Sequence, residues 1–202
     1  TQFVKIVTLR DFPFKSFAQV AAGTADPESR YPSTWAWLIY LFLLNSFATD
    51  ESRVSQNNFE FDRAIGGLTA AGYLPVDDLK ALVIKSSKSS FKASLPTLLE
   101  AVTESSSQEG ADQLFFKLVG HLKKTVESFG STSRHVLVLD GLDDVLTQRE
   151  VQYRSLAALV QEVNTINLDL MSARVPAKVV LLCRTDLFER LPDANKNKVR
   201  RD

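Results

Sequence analysis

Three carboxylates crowd into five residues of this chain: Asp140, Asp143 and Asp144, within the run His135 to Leu146. Like charges that close repel one another unless a proton or a cation shares the site, and a hard divalent ion such as Mg²⁺ is the economical partner. Ahead of them, Val136 to Leu139 is an unbroken apolar run, the pattern of a strand buried on both faces in a parallel sheet. An Asp at the end of such a strand stands at the edge where α/β proteins hold their ligands. Two plainer readings stay open. Asp140-Gly141 is also a hairpin-turn pair, although Leu142 to Gln148 does not alternate as a return strand would, and it could equally be a strand-to-helix loop with an Asp cap.

A second apolar run, Lys178 to Cys183, ends on Arg184. If the two strands are parallel neighbours, Asp140 and Arg184 emerge at the same sheet edge. A cation-holding carboxylate beside a fixed guanidinium suits a polyphosphate with Mg²⁺. In that arrangement Asp140 holds the metal through its water shell, Asp143 or Asp144 orients an attacking water, and Arg184 contacts the terminal phosphate. The plain alternative is an Asp–Arg pair at a sheet edge.

The elements that must position these residues follow from periodicity. Phe3 to Leu9 is β-rich and stops before Pro13. Gly23 to Pro32 reads as a loop, and Pro32-Ser33-Thr34 opens a helix through Phe47 whose apolar residues cover every side, as in a buried helix. Thr49 to Asn58 reads as a polar connection. Phe59 to Leu74 has helical spacing with a break expected at Gly66-Gly67, Val76 to Ile84 a short helix, Lys85 to Lys92 a solvated Ser/Lys loop, Leu95 to Val102 a helix, and Thr103 to Gly110 a linker. Leu114, Phe115, Leu118, Val119, Leu122 and Val126 form one helical stripe closed by Gly130, with His121 a bystander beside it. Glu150 to Met171 is the next amphipathic helix, and Leu187 to Leu191 a short one stopped by Pro192. His135, at the far end of its strand from Asp140, is set aside from the chemistry, and Cys183 reads as a buried, inert thiol. Strand, helices, strand, helix, strand implies an α/β fold: a parallel sheet with helices on both faces and a helical insertion. The chain divides into a first part of the core at 1–49, the insertion at 50–110, and the remainder of the core at 111–202.

Composition narrows the classes. Lys plus Arg and Asp plus Glu number 24 each, so no global charge points to nucleic acid. A single cysteine excludes an internal disulfide. The longest apolar run, Trp35 to Leu44, is ten residues, against about 20 for a membrane span. With no signal segment, the chain reads as soluble and cytoplasmic.

Asp140-Gly141-Leu142-Asp143-Asp144 after an apolar strand resembles the Walker B segment of STAND-class P-loop NTPases, in the form of NACHT-like members. Val180 to Asp186 resembles their sensor-1 strand, and Leu191 to Lys198 is similar to the same stretch in bacterial P-loop ATPases. The resemblance holds over about residues 112 to 202, more loosely over 1 to 48, and not between. It implies an ATP-binding and hydrolysing core of a signal-transduction ATPase, a nucleotide-controlled switch using ATP, ADP and Mg²⁺, with protein partners or self-association. The phosphate cradle G-x-x-x-x-G-K-[ST] is missing: none of the eight glycines is followed by Lys. Thr1 in place of Met, and an end at Arg200-Arg201-Asp202 in mid-pattern, are read as cut ends. The resemblance then puts the cradle upstream of Phe3, leaves this chain inactive alone, and bares the sheet edge beside the Arg184 strand. Two other functions are carried: a non-catalytic protein-interaction module on the same fold, and, more weakly, a nucleic-acid remodeller using Lys85, Lys88, Lys92, Lys196, Lys198, Arg200 and Arg201.

Overall fold

A computed structural model describes residues 1–21, 26–54, 59–88, 91, 95, 98, 110–141 and 150–185. The described elements are β1 (Gln2–Thr8), α1 (Phe14–Ala18), α2 (Pro27–Ala48), α3 (Phe59–Ala70), α4 (Leu79–Lys88), α5 (Ala111–Glu127), β2 (Arg134–Asp140), α6 (Glu150–Ser172) and β3 (Ala177–Leu181). The strands form one parallel sheet in the order β1-β2-β3, with Val7, Leu139 and Leu181 in one row across it. No described helix is long and apolar enough to cross a membrane.

Both crossovers step in the same direction, and right-handed crossovers that do so lay their helices on one face. That face carries Val7, His135, Leu137, Leu139 and Val179, all buried, and α2 packs against both α5 and α6 in the layer over it. The opposite face carries Val4 and Ile6, 56% and 66% exposed, with Leu182 at 47%. Among the described residues, then, the expected helices on both faces are found on one only. A second layer needs a crossover that steps back the other way, and none is described.

The helix α2 is the centre of the core. It starts at Pro27 rather than at Pro32, because Pro27 with its fixed φ sits at the first helical position after Asp26. Pro32 is therefore inside the helix, near its start. Trp35 to Leu44 is buried throughout, enclosed by α1, α4, α5, α6 and the sheet. Both indoles keep a partner: Trp35 Nε1 donates to the Ser155 carbonyl at 2.9 Å, and Trp37 Nε1 to Ser86 Oγ at 3.1 Å. Each large side chain so enclosed contributes roughly 1.5–3 kcal/mol.

The stretch expected as an insertion packs into the same apolar cluster through Phe61, Leu68, Leu79 and Val83. The expected break at Gly66-Gly67 does not occur, and α3 runs on to Ala70. Gly67 instead makes room for Leu98, whose Cγ would stand 3.3 Å from a Cβ there. The turn comes at Gly72, in the left-handed region at φ +69. Next, Asp78 caps α4, accepting the Ala81 N–H at 2.7 Å, and the helix continues to Lys88 through part of the expected Ser/Lys loop. Lys85 lies over the Tyr73 ring and donates to the Gly72 carbonyl. Most of 95–102, the linker at 103–109 and the helix expected at 187–191 fall outside the described residues.

The edge of β3 is partly filled. Asn167 of α6 accepts the Val179 N–H and donates to the Val179 carbonyl, both at 2.8 Å, as a neighbouring strand's peptide group would. Asn167→Ala should lower unfolding stability by about 1–2 kcal/mol in urea denaturation; an unchanged midpoint would show that these bonds count for nothing. On the surface of the helical layer, burial and then the nearby Asp169 push the Glu162 carboxyl up to about 7, against an opposing pull from Lys123. Its folded pKa thus lies above its unfolded one, so stability is given up as pH rises from about 4.5 to about 7. Glu162→Gln should raise the melting temperature at pH 8 and change little at pH 4, which a pair of thermal scans would settle.

Candidate functional site

The C-terminal edge of the sheet brings together residues far apart in the chain. Thr8 and Asp140 are register partners, and the Leu9 N–H donates to the Asp140 carbonyl at 2.7 Å, extending the β1–β2 ladder one step. On the other side Leu139 pairs with Leu181, and the Leu182 N–H donates to the Leu139 carbonyl. Asp140 and Arg184 therefore do end neighbouring parallel strands at one edge, both exposed, with Arg184 two residues past the position level with Asp140. Asp143 and Asp144 lie outside the described residues.

The turn after Asp140 requires glycine. Gly141 has φ +84, and a Cβ there would meet Thr8 Oγ1 at 3.0 Å and the Arg10 nitrogen at 3.4 Å. Its N–H donates to Asp140 Oδ1 at 2.7 Å, and the Arg10 N–H donates to Thr8 Oγ1 at 3.2 Å. Thr8 and Arg10 thus join the edge, although nothing in the β1 pattern singled them out. Mg²⁺ keeps most of its waters and takes one or two protein oxygens. The exposed Asp140 carboxylate, with the Thr8 hydroxyl one strand away, is a donor set of that chemistry. Among the described residues no three His, Cys, Asp or Glu side chains converge on a metal position. Cys183 is half-buried rather than buried, because it lies past the end of β3, where its Sγ donates to the Arg184 carbonyl at 3.4 Å.

At the other end of the sheet sits a polar cluster that the sequence reading passed over. Asp50, in the connection after α2, is buried, and its carboxylate accepts the Ser52 N–H and hydroxyl, the Ser131 and Ser133 hydroxyls, and His135 Nε2 at 3.1 Å. His135, 1% exposed, stacks flat on Phe3 and meets the rings of Phe47 and Phe129 edge-on, with Ser46 Oγ 2.8 Å from its Nδ1. Burial would push the Asp50 carboxyl up, but bonds from Ser131, Ser52 and His135 outweigh it and hold the group well below the usual range. For His135 burial wins over its bond to Asp50 and lowers the pKa, so the ring is neutral at pH 7 with Nε2–H toward Asp50. That leaves Nδ1 to accept from Ser46.

Serine, histidine and aspartate in a chain have the order of a hydrolase triad. The surroundings argue otherwise. Ser46 lies in the last turn of α2, at the carbonyl end of the helix, where the helix dipole disfavours an oxyanion. The cluster is a clasp between the loop after α2 and the entry to β2, which also pair as a bridge at Arg53 and Ser131. One signal was available: Ser131, Ser133 and His135 occupy, at period two, the same inward side as Leu137 and Leu139.

Comparison with protein-family models, curated proteins and solved structures found no match to this chain. The clasp should contribute a loss of stability on acidification. The folded pKa of His135 lies below its unfolded value of 6.5, so the unfolded chain takes up that proton first and stability falls as pH drops below about 6.5. Asp50 adds a second loss below 3.8, because its folded pKa also lies below the unfolded one. In a Glu162→Gln background, which removes the opposite contribution of that carboxyl, urea midpoints should decline from pH 7.5 to pH 5, and adding His135→Gln should flatten the decline. A midpoint constant over this range in the Glu162→Gln variant would contradict the assignment.

Proposed function

We propose that this chain carries the metal-binding and phosphate-sensing half of an ATP site, in a signal-transduction ATPase that works as a nucleotide-controlled switch. The observation that supports the reading is the parallel pairing of β2 with β3, which brings Asp140 and Arg184 to one sheet edge. Asp140 would hold Mg²⁺ through its water shell, and Arg184 would meet the terminal phosphate. Asp143 and Asp144 are the proposed water-orienting carboxylates. When bound, Mg²⁺ would neutralise the phosphate oxygens and favour attack on the terminal phosphorus. The chain's own part is to aim Asp140, through the bond from the Gly141 N–H and the packing of Gly141 on Thr8. With no G-x-x-x-x-G-K-[ST] run in these residues, the cradle for the other phosphates is proposed to come from outside them.

A second reading, a non-catalytic protein-interaction module on the same fold, draws on the exposed Val4, Ile6 and Leu182 of the bare sheet face. Calorimetry on the full-length natural protein separates the two. Under the ATPase reading, ATP binds at least tenfold more tightly with Mg²⁺ than with a chelator. Asp140→Ala removes that difference, and Arg184→Ala weakens ATP more than ADP. Nucleotide binding indifferent to Mg²⁺ and to both substitutions would leave the interaction module standing.

A further inference from the structure

Asp140-Gly141 is the one place in the chain where an aspartate or asparagine is followed by glycine. That pair has a chemistry of its own. The Cγ of an aspartate can be attacked by the backbone nitrogen of the next residue, closing a five-membered ring, and a glycine there puts no side chain in the way. In a free peptide the step is slow, because the nitrogen seldom stands against the carboxyl group. Here the fold holds it there. The Gly141 nitrogen lies 2.7 Å from Asp140 Oδ1, which leaves it roughly 3–3.5 Å from Cγ, the near-attack range. Gly141 is kept in the left-handed region at φ +84, packed on Thr8, so the arrangement is set by the strand ends and not by the pair alone. Asp140 is exposed, so water reaches a ring formed at this position. Asp112 is the comparison within the same chain. Its Oδ1 takes the Gln113 N–H at 3.1 Å, but it is 6% exposed, and the residue that follows carries a side chain within a helix.

We propose that Asp140 is a site of spontaneous isoaspartate formation, at which the folded chain itself positions the nucleophile. In the acid form of Asp140 the Gly141 nitrogen forms a bond to Cγ. One Cγ–O bond breaks, and the hydroxyl leaves with the amide proton as water. The product is a succinimide, one water lighter than the starting chain. Water then opens the ring at either carbonyl. Attack at Cγ restores aspartate, whereas attack at the former main-chain carbonyl leaves an isoaspartyl link, with no net change of mass. The backbone then runs through Cγ and is one carbon longer, and the free carboxylate is the group whose oxygen had accepted the Leu9 N–H. The last step of the β1–β2 ladder and the packing of Gly141 on Thr8 are disrupted together. The reaction does not need the nucleotide reading. On that reading it would also draw the metal-holding carboxylate back toward the backbone, so the site would lose its ion as the chain ages.

The test is run on the full chain at about pH 6, where a share of carboxyl groups is in the acid form, without metal or nucleotide. One sample is kept folded and a second is unfolded in urea. Peptides from each are read over time by mass spectrometry with electron-transfer fragmentation, which separates isoaspartate from aspartate. Isoaspartate at Asp140 should accumulate in the folded chain at least as fast as in the unfolded one, by way of the species one water lighter, while Asp112 stays unchanged. Asp140→Glu, which would have to close a six-membered ring, should remove the product while keeping the circular dichroism spectrum. An Asp140 that stays intact in the folded chain while the unfolded chain converts overturns the proposal. So does conversion shared equally with the other aspartates, or none in either sample.

Discussion

The strand β2 is hydrogen-bonded on both sides, and that single fact fixes the geometry at either end of it. Side chains alternate along a strand, so its residues have only two directions to point. His135, Leu137 and Leu139 sink beneath α2 and its neighbours, while Arg134, Val136, Val138 and Asp140 face away. A slip of one residue would bury Asp140 and expose the imidazole. The apolar residues of β1 and β3 and the clasp at Asp50 hold the strand against that slip.

The two ends of the sheet are built from polar groups in opposite ways. At the N-terminal end the Asp50 carboxylate takes bonds from Ser52, Ser131, Ser133 and His135, whose ring stacks on Phe3, and the result is a joint between two loops. At the C-terminal end Asp140 is exposed, and the one described bond to its carboxylate comes from the neighbouring Gly141 N–H. A carboxylate kept in water retains the capacity to take a metal ion or a guanidinium.

What could be read from the sequence was local. Val136 to Leu139 and Lys178 to Cys183 announced strands, although they are buried on one face and not on both, and the stripe from Leu114 to Val126 announced α5, because each signal lies within one element. The start of α2 was missed because two prolines compete for the first helical position and only the packing decides between them. Gly66-Gly67 reads as a break until Leu98 is seen against it. The bond between Asp50 and His135 spans 85 residues, and no periodicity carries information over that distance. The one-sided layering was also out of reach, because it depends on which strand lies beside which. The neighbouring placement of Asp140 and Arg184 was a condition in the sequence, which offered two apolar runs joined by a helix long enough to cross, and it is the pairing of β2 with β3 that meets it.

The parallel pairing of β1 with β2 has a consequence for how the chain is made. Thr8 and Arg134 bracket about 125 residues, all of which leave the ribosome before β1 can meet its partner. At about 5–20 residues per second, that is a wait of roughly 6–25 s. During it, α1 to α5 can gather around α2 on their own, while Val4 and Ile6 sit on an unpaired strand with both edges open. Nascent chains on neighbouring ribosomes would meet through that strand first, so its shielding during synthesis falls to chaperones or to the speed of translation.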